Sequence, residues 1–204
     1  MNGTYHRIVG IMITRNRCMK GTMQIMARIV ILFLFGCATQ QPVQSVIQTK
    51  ETAETYLNQG VAYSQKGEFE RAVSNYNKAI EVNPKFAVAY LNRGFTYSKL
   101  GEYDRAISDY SKATEINPRY AMAFNNRGFT YRKKGDFNRA ISDYSKAIEI
   151  NPRYAVAYYN RANAYYQTGE YDRAWEDVYI AQSFGYPVSP KFLKTLREIS
   201  GRQR

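Results

Sequence analysis

The chain has 204 residues, 45% of them hydrophobic and 15% aromatic, enough for one packed domain and too apolar for wholesale disorder. Its formal net charge of +12 would suit a nucleic-acid binder, but residues 1–50 hold six basic residues and no acid, and residues 189–204 five basic residues against Glu198. Residues 51–188 carry eighteen basic and sixteen acidic residues, interspersed, which argues against a phosphate-binding surface.

The leader comes first. Arg28 to Ala38 reads RIVILFLFGCA, with an apolar run from Ile29 to Phe35 behind a basic flank. Seven apolar residues fit the short core of a secretory signal and fall far below the roughly 20 of a membrane-spanning helix. The stretch Leu34-Phe35-Gly36-Cys37 resembles the lipobox of bacterial lipoproteins, although Phe35 is bulkier than the usual residue there. That resemblance implies lipid attachment at Cys37 and a mature chain that begins there. Ala38 after the cysteine then favours the outer membrane, facing the periplasm. Met19, Met23 and Met26 are alternative starts, and Met19 gives the most conventional basic region. The two cysteines, Cys18 and Cys37, both lie in the leader, so a mature chain lipidated at Cys37 has no disulfide. A mitochondrial transit peptide is the competing reading, since the leader is basic and acid-free; the compact apolar run before Gly-Cys counts against it. Residues 38–52 are polar and rich in Gln and Thr, and read as a tether.

From residue 53 the chain repeats. "RAISDYSKATEINPRYA" (105–121) returns at 139–155 with only Thr114 changed, to Ile148, and the offset of 34 extends to four units: 53–86, 87–120, 121–154 and 155–188. One column is Tyr56, Tyr90, Phe124, Tyr158; others are Gly60, Gly94, Gly128, Ala162 and Tyr63, Tyr97, Tyr131, Tyr165. Ala72, Ala106, Ala140, Ala174 form a fourth column, Tyr76, Tyr110, Tyr144, Val178 a fifth, and Pro84, Pro118 and Pro152 close the first three units. This pattern resembles the tetratricopeptide repeat, with Gln59, Arg93, Arg127 and Arg161 where that family usually has Leu. The resemblance implies an all-α superhelix of four helix-turn-helix repeats.

Periodicity alone leads to the same helices. Tyr56, Gly60 and Tyr63 share one helical face, as do Ala72, Tyr76 and Ala79 on a second helix. Gly67, Gly101, Gly135 and Gly169 stand where a helix end needs a left-handed residue, and Asn-Pro at 83–84, 117–118 and 151–152 ends the second helix. Folding the two helices back on each other sets Tyr56 level with Tyr76, and Gly60 level with Ala72. One hairpin cannot bury such a face, whereas a stack of about three can. The fourth unit degenerates at Val178 and at "SFGYP". Residues 189–204 then supply a capping helix with a basic tail, Ser189 as N-cap, Pro190 at the first position and an apolar stripe of Phe192, Leu193, Leu196 and Ile199.

Arg93, Arg127 and Arg161 are followed sixteen residues later by Asp109, Asp143 and Asp177, each pair centred on the turn glycine. The spacing predicts a bridge inside each repeat, worth at most about 1 kcal/mol if it is partly exposed. In the first unit both partners change together, to Gln59 and Asn75.

The residues give no sign of chemistry. His6, the one histidine, lies in the leader, which leaves no His/Cys metal site, Ser–His triad or Cys–His pair in the mature chain. The aspartates recur with the repeat, and the glycines follow its geometry rather than forming a phosphate loop. The expectation is no enzyme, no cofactor, no metal, no nucleic acid and no small-molecule substrate. Function falls to the first helices, where the copies differ. Asn58, Asn92, Asn126 and Asn160 form one column, and the resemblance implies that such an asparagine contacts the backbone of an extended peptide; capping or spacing the helices is the other reading. Around it Phe95, Phe129, Asn125, Tyr159, Arg132, Asn163 and Tyr166 complete a groove that is aromatic in its middle and amide- and arginine-bearing toward its end. The lysine clamp by which some relatives hold a chaperone's terminal carboxylate would need Lys at Leu57, and this chain departs from it.

The reading is a non-enzymatic scaffold that binds a protein segment in the concave groove, lipid-anchored at the cell envelope. Three alternatives stay open: a self-assembling repeat protein, which would make a homo-oligomer; an intracellular adaptor whose leader is no signal; and an enzyme, which would have to work without any histidine.

Overall fold

The computed structural model describes residues 41–201, with side chains from residue 52. The leader with Cys37, and residues 202–204 of the tail, lie outside the described residues. The chain divides into two units, Met1–Thr49 and Lys50–Arg204; of the first, only residues 41–49 are described, and they are helical. The second unit is all-helical among its described residues, and no described helix is long and apolar enough to cross a membrane.

Helix α1 (Gln41–Gln65) opens the series, so the stretch read as a tether is helical from Gln41 on. Pro42 falls in its first turn, where proline is tolerated, and no glycine follows until Gly60. Helices α2 (Phe69–Val82), α3 (Ala87–Lys99), α4 (Tyr103–Ile116), α5 (Ala121–Lys133), α6 (Phe137–Ile150), α7 (Ala155–Thr168) and α8 (Tyr171–Ser183) complete four hairpins, and α9 (Pro190–Ser200) follows. Each hairpin packs on the next, α2 against α3, α4 against α5 and α6 against α7, in the stacking of a superhelix.

Both turns of the repeat obey the sequence. At the end of α5 Gly135 has φ +81°, open to glycine at no steric cost, and the Asp136 N–H reaches back five residues to the Tyr131 carbonyl at 2.9 Å. The other three hairpins turn the same way. At the end of α4 Asn117 is extended, as a residue before proline must be, and its side-chain oxygen accepts the Arg119 N–H at 3.0 Å. The asparagine therefore builds the turn as much as the proline does.

The core is an alanine ladder with tyrosines set into it. Ala72, Ala106, Ala140 and Ala174 are fully buried, as are Ala79, Ala113, Ala147 and Ala181 one helical face on. Tyr76, Tyr110 and Tyr144 are buried to within 1%, each ring lying over the glycine sixteen residues earlier. The expected level of glycine with alanine holds at the equivalent pairs, where a Cβ on Gly94 or Gly128 would stand 3.2 or 3.1 Å from the carbonyl oxygen of Ala106 or Ala140, and the tyrosine ring takes the space that the missing Cβ leaves.

Helix α9 caps the last hairpin. Leu196 is fully buried with Trp175, Val178 and Val188, and Phe192 and Leu193 are half-buried against them. The Trp175 indole N–H donates to Ser200 Oγ at 3.0 Å, which satisfies the one polar atom of the ring. One expectation fails here: Ile199 is 48% exposed and leaves the stripe. Ser189 holds the expected N-cap position with Pro190 next to it, without a side-chain capping bond.

Candidate functional site

The first helix of each repeat turns one face away from the packing core. On α3 that face carries Val88, Asn92, Phe95 and Lys99; on α5 it carries Met122, Asn126, Phe129 and Lys133. The spacing of four, three and four residues keeps them in line. Val88, Phe95 and Met122 are exposed although apolar, with Phe95 at 43%.

Between these helices lies a cavity of about 500 Å³. Phe95, Phe129 and Val156 give it apolar walls, Asn125, Asn126 and Asn160 its amides, and Lys99 and Lys133 its cations. Ser98, Tyr103 and Tyr110 complete the lining, which holds no carboxylate. The three amides are linked: Asn160 Nδ2 donates to Asn125 Oδ1 at 3.0 Å, and Asn125 Nδ2 to Asn126 Oδ1 at 3.3 Å. Asn126 Nδ2 and Asn160 Oδ1, the two ends of that chain, have no partner among the described residues. The lysine ammonium groups stand by the rings, Lys99 Nζ 5.2 Å from the Phe95 centroid and Lys133 Nζ 5.6 Å from that of Phe129. Burial pushes the Tyr110 hydroxyl well above the usual phenol range, so it meets the cavity as a neutral group.

Five of the residues read from the sequence as groove-lining therefore come together: Phe95, Asn125, Asn126, Phe129 and Asn160. Asn92 donates instead to the Val88 carbonyl of its own helix at 3.0 Å, and Asn163 to the Tyr159 carbonyl at 2.8 Å. Asn58 is exposed on α1, outside the cavity lining. Arg132 sits beside the Phe129 ring, 5.0 Å from its centroid, with Nε buried and without a hydrogen-bond partner. Tyr159 and Tyr166 correct the sequence reading. Tyr159 lies tilted against Tyr186 at 4.7 Å and edge-on to Phe192, and Tyr166 meets Phe192 at 5.7 Å, so the segment after the last hairpin occupies both rings. Lys99, Lys133 and Val156 were missed. Lys99 and Lys133 lie four residues after Phe95 and Phe129, a signal that was legible.

Behind the groove stand the ion pairs. Arg127 forks onto Asp143 with Nε–Oδ2 at 2.8 Å and Nη2–Oδ1 at 2.7 Å, and Arg93–Asp109 and Arg161–Asp177 repeat the arrangement. Each arginine also reaches back to the preceding repeat: Nη1 of Arg93 to Asn77 at 2.6 Å, of Arg127 to Ser111 at 3.0 Å, and of Arg161 to Ser145 at 2.9 Å. The hydrogen bonds to Asp143 raise the Arg127 pKa despite its burial, so the guanidinium stays charged. Among the described residues no cluster of three His, Cys, Asp or Glu could hold a metal ion.

Comparison with known proteins agrees with this geometry. A family model described as TPR repeat matches residues 60–101 and 130–169, and two described as tetratricopeptide repeat match residues 87–120 and 110–142. Two crystal structures of MamA are similar at 27% identity. One covers 69% of this chain and 83% of its own with a TM-score of 0.62, the other 74% and 84% with 0.65. The first TPR of Spaghetti (RPAP3), solved bound to the HSP90 peptide SRMEEVD, shares the fold at 23% identity and a TM-score of 0.58, over 59% of this chain and 95% of that one. No curated protein matches the chain.

Proposed function

This chain carries tetratricopeptide repeats, and from that premise we propose that it is a non-enzymatic scaffold that holds a segment of a partner protein in its concave groove. One observation carries the reading: an open cavity with part-exposed phenylalanines and an amide chain open at both ends, on the face the packing leaves free. Apolar rings exposed to water gain by being covered, and a free amide donor and acceptor suit the backbone of a bound segment.

The test removes the rings. Phe95→Ala combined with Phe129→Ala is expected to abolish capture of partner proteins from envelope extract. Both rings are already part-exposed, so each costs the fold only about 1 kcal/mol. Capture by the double variant at the wild-type level rejects the site.

The same proposal places the scaffold at the cell envelope, secreted across the inner membrane and anchored by lipid on Cys37. The support is Leu34-Phe35-Gly36-Cys37 behind a basic flank and a short apolar run. Labelling cells with radioactive palmitate should mark the wild-type protein, and Cys37→Ser should lose the label and leave the membrane fraction. Equal labelling of the two proteins overturns the anchor.

A further inference from the structure

The four first helices can be compared at the same two positions. Those positions hold Val61 and Gln65 in the first repeat, Phe95 and Lys99 in the second, Phe129 and Lys133 in the third, and Asn163 and Gln167 in the fourth. The ring and the cation therefore occur together in the two middle repeats and are both missing from the outer two. Packing does not require either. The outer repeats fold with the same turns and without them, and Phe95 is 43% exposed where it stands. Lys99 and Lys133 have no acidic partner among the described residues, whereas Lys112 pairs with Glu115 at 2.9 Å and Lys146 with Glu149 at 2.7 Å on the second helices.

The face is also polarised. Lys99 and Lys133 lie at its turn end, the linked amides in the middle, and Val88, Met122 and Val156 at its other end. From this arrangement, and resting on the scaffold reading above, we infer that the groove across α3 and α5 takes an extended, internal acidic segment of a partner protein. Its carboxylates meet Lys99 and Lys133, and apolar side chains enter between Phe95, Phe129 and Val156. An extended segment is favoured over a helix because a helix has already paired its backbone groups, while Asn126 Nδ2 and Asn160 Oδ1 call for unpaired ones. Side chains of an extended chain alternate, so the matching pattern is carboxylate and apolar residue in alternation. Single-stranded nucleic acid is the less favoured occupant, because it needs cations along the whole strand and this lining has two. Lys99 and Lys133 serve side-chain carboxylates, so the segment needs no free C-terminus.

The experiment uses the full chain and a random library of twelve-residue peptides displayed between two inert domains, so that no peptide has a free end. Wild type is expected to enrich peptides with alternating Asp or Glu and apolar residues, whose binding weakens as salt is raised. Lys99→Glu with Lys133→Glu should weaken the enriched peptides roughly tenfold or more, and Lys85→Glu with Arg119→Glu, exposed cations outside the groove, should leave them unchanged. Lys99→Gln with Lys133→Gln installs the residues of the outer repeats, keeps the fold, and should lose a smaller part of the affinity. Enriched peptides without acid, or ones indifferent to both lysine pairs yet lost on Phe95→Ala with Phe129→Ala, overturn the acidic segment and leave the groove standing. No enrichment, or enrichment indifferent to the phenylalanines, overturns both. A labelled twelve-nucleotide single strand that binds more tightly than the best peptide, through the same lysines, overturns the inference in favour of nucleic acid.

Discussion

Replacing Arg127 with alanine is expected to cost the fold about 3–5 kcal/mol, read by urea denaturation followed by helical circular dichroism. The Arg127 side chain is 18% exposed and that of Asp143 9%, so the variant strands a carboxylate with little water to replace the guanidinium. It also removes the bond to Ser111 that ties the third repeat to the second. Asp143→Ala should cost less, because the more exposed arginine keeps Ser111 and gains water. Arg127→Gln with Asp143→Asn, the residue types of the first repeat, should lose less than Arg127→Ala, since no charge is left buried. A loss below about 1 kcal/mol for Arg127→Ala would show the pair to be an ordinary surface bridge.

That expectation is larger than the sequence allowed, and the difference is instructive. Arg127 and Asp143 were legible as partners because their spacing centres on the turn glycine, and the paired change to Gln59 and Asn75 supported it. Spacing inside a repeat says nothing about depth. Depth depends on the neighbouring hairpin, and the residues of the preceding repeat that the arginines reach across to, Asn77, Ser111 and Ser145, share no single residue type to announce them.

The groove divides along the same line. Phe95, Phe129, Asn126 and Asn160 were legible because a helix face free of the repeat's packing columns must look outward. Tyr159 and Tyr166 lie on the same first helices but meet Tyr186 and Phe192, which belong to the unrepeated segment after the last hairpin. No periodicity reaches that segment, so its docking site was not in the pattern. Asn92 was ambiguous for a local reason: an asparagine in a helix can always turn back to the carbonyl four residues earlier, and Asn92 does.

The second large effect concerns the glycine–tyrosine pairing, and its expected sign runs against helix propensity. Gly128 lies inside α5, where alanine ordinarily gains about 1 kcal/mol. Here an added Cβ would stand 3.0 Å from Tyr144 Cε1 and 3.1 Å from the Ala140 carbonyl oxygen, and neither can withdraw. Overpacking of about 1–3 kcal/mol should outweigh the propensity, so Gly128→Ala destabilises. Gly60→Ala should be worse, since its Cβ would meet the Tyr76 ring at 2.5 Å. Tyr144→Val empties space under a fully buried ring and should cost about 2–4 kcal/mol. The fourth repeat already contains the matched exchange: Ala162 faces Val178, both fully buried, where the other three pair glycine with tyrosine. Gly128→Ala with Tyr144→Val should therefore lose at least about 1 kcal/mol less than the sum of the single variants, the added methyl filling part of the space the ring vacates. Strict additivity in that cycle would mean that the two columns vary independently, and that the repeat's close approach is set elsewhere.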